Sequence, residues 1–89
     1  MQSEWAAKIF GDKEDPRVRL QSVFGGEVPK SGRPPRAALE WASAILEGIP
    51  VERRDTVNVT RALRQKERRL TLRSAIFLAD HALSRSGHA

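Results

Sequence analysis

The sequence predicts an all-α fold, a compact bundle of four to five short helices. Three observations carry that prediction. Apolar residues recur at three- and four-residue spacing through most of the chain, the periodicity of a half-buried helix. Glycines and prolines stand between the periodic stretches, where helices stop and start. Charged residues make up 30% and apolar residues 39% of the 89 positions, a balance that suits a folded helical domain better than a disordered chain. A chain of this length holds one domain, residues 1–89, with a modest core.

The first expected helix runs from Glu4 to Phe10, capped by Ser3 and stopped at Gly11, with Trp5 and Ile9 on one face. A polar turn, Asp12 to Asp15, follows. Asp15-Pro16 has the chemistry of an N-cap and first helical position, which opens a helix from Pro16 to Phe24 with Leu20, Val23 and Phe24 inward. Arg17 to Leu20 also alternates like a strand, so the period alone does not decide this segment. Gly25-Gly26 ends it. Residues 25–35 contain three glycines and three prolines and form the one clear loop, a candidate hinge.

Pro34-Pro35 starts the most strongly marked helix, and Gly48 with Pro50 stops it. Ala38, Ala42, Ile45 and Ile49 form one apolar row, Leu39 and Leu46 a second, and Trp41 flanks the first. Asp55 or Asn58 caps the next helix, which is expected to run to Arg69. Its apolar line is Val59, Leu63 and Leu70, and Arg61, Arg64 and Arg68 lie about 140° away at about 100° per residue. A last helix, Leu72 to about Arg85, is capped by Thr71. Its main stripe is Leu72, Ile76, Ala79 and Leu83, with Ala75, Leu78 and Ala82 beside it. That stripe does not continue the line through Val59, Leu63 and Leu70, which predicts a break near Leu70-Thr71. The expected core draws on Trp41, Ile45, Leu46, Leu63, Leu70, Ile76, Leu78 and Leu83.

The charge is uneven. Net charge is +5, from twelve arginines and four lysines against eleven acids. Residues 1–52 sum to −1 and residues 53–89 to +6, so the excess sits in the last two-fifths. Charge segregated in this way steers an anionic partner to one surface. The candidate partner-binding or nucleic-acid-binding residues are Arg53, Arg54, Arg61, Arg64, Lys66, Arg68 and Arg69. Trp5, Phe10 and Phe24 are candidate apolar anchors, since aromatic groups on short helices are enriched at interfaces; the plainer reading is that they cap the bundle.

Three function classes follow in order. The first is a small non-enzymatic interaction or regulatory protein that docks on an acidic protein surface. The alternative is a nucleic-acid-binding protein using the arginine-rich helix 58–69. Against it stands the lack of aromatic groups for base stacking: the chain has no tyrosine, and Phe77 is the one aromatic ring of residues 53–89 apart from its histidines. A helix-turn-helix over 55–85 is disfavoured, because its second helix is the apolar one and the motif needs that helix in the major groove. Third is a small helical enzyme.

No catalytic residue, cofactor site or metal site is expected. With no cysteine, thiolate chemistry is excluded. His81 and His88 are too few for a zinc site. The glycines lack phosphate-loop spacing, and no serine sits in a nucleophile-elbow setting. Arg33-Pro34-Pro35-Arg36 is read as a helix start rather than a proline-rich docking motif. No apolar run approaches the length of a membrane span, and neither a signal peptide nor a lipidation signal is recognised, so a cytoplasmic protein with no membrane partner is expected. Apolar groups left uncovered on short helices would be met by a second copy, so a homodimer is kept among the partners.

Overall fold

Four α-helices and one short 3₁₀ turn, with no strand, make up the described part of the computed structural model, residues 15–29 and 31–85. They are α1 (Pro16–Phe24), α2 (Arg36–Glu47), the 3₁₀ turn Val51–Arg53, α3 (Thr56–Lys66) and α4 (Leu72–Arg85). The expected helix over 4–10, with Trp5 and Phe10, lies outside the described residues.

Each helix boundary has a local cause. Asp15 caps α1 with its Oδ1, which accepts the Arg17 backbone N–H at 2.9 Å, and Pro16 occupies the first helical position. The strand alternative for Arg17 to Leu20 is thereby excluded. Gly25 and Gly26 end the helix with φ of 78° and 83°, a region that side chains with a Cβ resist. Helix α2 begins at Arg36, after the two prolines, and Gly48 closes it by donating to Ile45 O at 3.0 Å. Asp55, not Asn58, caps α3: its Oδ1 accepts the Asn58 N–H at 2.8 Å and its Oδ2 accepts the Asn58 side-chain amide at 2.9 Å. At α4, Thr71 Oγ1 accepts the Ser74 N–H at 3.1 Å while Ser74 Oγ donates to Thr71 O at 3.0 Å, so each satisfies a group of the other.

The expected extent of α3 is corrected. The helix stops at Lys66, and Glu67 turns to an extended backbone with φ of −135°. Its carboxylate Oε1 accepts the Arg69 N–H at 3.1 Å. This local bond offers the backbone an alternative to another helical turn. Arg68 and Arg69 therefore sit in the turn between α3 and α4, and the break predicted near Leu70-Thr71 is present.

Helix α4 is the centre of the bundle and packs against the other three. Its buried arc holds Leu72, Ala75, Leu78, Ala79, Ala82 and Leu83, all of them in the expected stripe or beside it, while Ile76 of that stripe is only half-buried. Ala38 and Ala42 of α2 belong to the same buried cluster, and such small side chains allow close helix approach. Leu20, Leu46, Val59, Leu63 and Leu70 complete the core cluster. Of the expected core, Leu46, Leu63, Leu70, Leu78 and Leu83 are buried, whereas Trp41 and Ile45 are half-buried against the cluster and Ile76 is half-buried outside it. The reason is geometric: a helix surrounded on three sides makes its closest contacts through alanines, and the bulkier residues fall at the margins. The Cα radius of gyration is 12.5 Å, beside about 12 Å for a packed chain of this size.

Candidate functional site

The seven basic candidates do not form one continuous face. Arg53 is exposed on the 3₁₀ turn. Arg54 is turned inward: its Nε donates to Ile49 O at 2.8 Å and a terminal nitrogen donates to Glu47 O at 3.4 Å, so it satisfies carbonyls just after α2. Arg69 is exposed but held by Glu67 through Nε and Nη2, both at 2.9 Å. That bonding, the Arg69 side chain first and its backbone N–H second, lowers the Glu67 carboxyl from the ordinary 4.5 to about 2 and raises Arg69.

Arg61, Arg64, Lys66 and Arg68 remain. None of the four has an ion-pair partner among the described residues. Three of them come together: Arg61, Arg64 and Arg68, with Thr60 and Gln65, line a shallow groove of about 370 Å³. Helical spacing places Arg61, Arg64 and Gln65 along one side of α3, and the turn after Lys66 brings Arg68 to the same groove although it is no longer helical. Thr60 and Gln65 were not singled out in the sequence. Gln65 sits four residues after Arg61, so the helical spacing would have found it. Thr60 is fully buried, and its Oγ1 has no hydrogen-bond partner among the described residues.

The apolar anchor candidates fare differently. Phe24 is half-buried against the core, its ring 4.8 Å from that of Trp41 and tilted by 44°. Trp5 and Phe10 lie outside the described residues. Among the described residues, the large apolar groups left open are Val18, Val51 and Val57. Pro34 and Pro35 are fully buried, so they start α2 and do not present a proline-rich ligand.

Helix α4 packs against the other three helices and buries half of its residues, and the strip it leaves to solvent carries Arg73, Asp80 and Ser84 rather than a run of basic groups, which does not favour it as a reading helix in a major groove. No group of three or more potential metal-ligating side chains occurs among the described residues. His81 packs against Phe77 with ring centroids 4.6 Å apart and planes tilted by 58°, and His88 lies outside the described residues. No helix among the described residues is long and apolar enough to cross a membrane. No family model, curated protein or solved structure matches this chain.

Proposed function

We propose that this is a non-enzymatic binding protein whose α3 groove engages a nucleic-acid backbone. The observation that carries the reading is the set of three arginines, Arg61, Arg64 and Arg68, lining one groove without a carboxylate partner among the described residues. Unpaired guanidinium groups gain most from phosphates, since each contact releases condensed counterions and each fork donates to a pair of phosphate oxygens. Lys66 adds charge at the end of the same helix. The groove has no aromatic platform, which favours duplex backbone contact over stacking with single strands.

The reading first drawn from the sequence, docking on an acidic protein, keeps one supporting observation. Val57 is 46% exposed one turn before Arg61 and offers that face a small apolar centre. It is weaker because Phe24, the described aromatic anchor, is engaged with Trp41.

The test is binding to labelled duplex DNA, duplex RNA and single strands across a salt series, with the folded R61E/R64E/R68E variant alongside. If three phosphate contacts are lost, the slope of log K against log salt for duplex DNA becomes shallower by about 2.7. Absence of binding at low salt refutes the nucleic-acid reading. Partner capture that depends on both Val57 and the arginines would then support protein docking.

A further inference from the structure

A second cavity, larger than the α3 groove, opens where the loop before α2 meets the end of α4. It measures about 710 Å³, within the range of small-molecule sites. Arg33 comes from the loop, Arg36 from the first position of α2, and His81 and Arg85 from the last turns of α4. Half-buried Leu39 gives it an apolar side, and Ser31 and Ser84 add hydroxyl groups.

Charge decides what such a cavity accepts. No carboxylate among the described residues lines it. The positive end of α2 and the negative end of α4 both border it, and their half-charges oppose one another. Three guanidinium groups are left to set the sign. Arg36 donates Nε to Glu40 at 2.9 Å, but the pair is exposed on both sides, at 91% and 54%. An exposed pair of this kind contributes little, so a bound anion competes with it readily. Arg33 and Arg85 have no ion-pair partner among the described residues. The apolar side has its own requirement. Leu39 is half-buried, and the His81 ring packs at a tilt against Phe77. A bare inorganic anion leaves that surface unused.

We infer that this cavity is a binding site for a small organic phosphate, whose phosphate is held by Arg33, Arg36 and Arg85 and whose apolar or aromatic body lies on Leu39 and His81. Arginine forks suit phosphate oxygens bidentately, and an imidazole face suits a flat ring. The site is separate from the α3 groove: the two share no lining residue.

The experiment is a titration of the ¹⁵N-labelled full chain with phenyl phosphate, inorganic phosphate and phenol, followed by amide chemical shifts. Phenyl phosphate is expected to move the amides of Arg36, Leu39, His81 and Ser84, with inorganic phosphate weaker and phenol weakest. Arg33→Glu and Arg85→Glu, both at exposed positions, are each expected to weaken phenyl phosphate by about tenfold or more, the effect of losing a charge-assisted contact. Their own amide spectra verify that each variant is folded. Three results would overturn the inference: no shift at these amides at millimolar ligand, phenol binding as tightly as phenyl phosphate, or shifts confined to the α3 groove.

Discussion

Leu20→Ala is the most direct test of how α1 is held. Leu20 is the one fully buried residue of α1, and Val23 and Phe24 are half-buried beside it. Truncation removes three carbon atoms from a site with no solvent exposure. At about 0.8 kcal/mol per buried methylene the transfer loss is about 2.4 kcal/mol, and the residual cavity raises it toward the 3–5 kcal/mol range of buried leucines. A short helix at the edge of the bundle can partly collapse into the space, so we expect about 3 kcal/mol. Val18→Ala on the same helix is the control, because Val18 is 50% exposed and its loss should stay within about 0.5 kcal/mol. Urea unfolding followed by circular dichroism measures both. With a slope of about 1–1.5 kcal/mol/M, the midpoint of Leu20→Ala falls by about 2–3 M while Val18→Ala barely moves. Equal midpoints with full helical signal in both variants would refute the packing of α1 on α2 and α4.

Three further outcomes are expected. Asp55→Ala removes the acceptor for the Asn58 N–H and should cost about 1 kcal/mol, seen as a melting temperature about 4–8 °C lower. Thr60→Val replaces a buried hydroxyl that has no partner among the described residues with an isosteric methyl; unfolding midpoints should stay level or rise by about 1 kcal/mol, and a clear loss would reveal a hidden partner. Glu67 should titrate near 2 rather than 4.5 by side-chain carboxyl NMR, and return toward the ordinary value in Arg69→Ala. Because the folded value is the lower one, the pair's stabilisation is complete above pH 4.5 and is lost as pH falls toward about 2.

Where a boundary rests on one residue's chemistry, it was legible in the sequence. Asp15-Pro16, Gly25-Gly26, Gly48, Asp55 and Thr71 each act through a local bond or backbone preference, and each stands where the residue type implied. The end of α3 was not legible, because Glu67 withdraws from the helix to bond Arg69, a competition that helical periodicity does not register. The alanine-rich contacts of α4 were underweighted for a related reason. Side-chain size marks residues that fill a core, whereas Ala75, Ala79 and Ala82 are buried because neighbours approach closely. The arginines were visible as a group, but their division was not. Arg54 bonds carbonyls five and seven residues back, and the cavity of Arg33, Arg36 and Arg85 joins segments about fifty residues apart only through the fold.

The α3 cations also bear on the helix that carries them. Arg64 and Lys66 lie in its last turn, where a positive charge complements the negative end of the helix dipole by about 0.3–1 kcal/mol each. Arg64 is half-buried, so its stem packs as well as its head charges the groove. Charge reversal there changes two things at once: it removes a contact for an anion and weakens the turn that brings Arg68 to the groove. Neutral substitutions separate these effects. Arg61 and Arg68 are exposed and outside the last turn of α3, so their replacement by glutamine acts on the groove alone. A salt slope that falls in Arg61→Gln/Arg68→Gln with unchanged melting places the phosphate contacts in the groove. A slope that falls only when Arg64 is changed, together with lower melting, assigns that effect to the helix end instead.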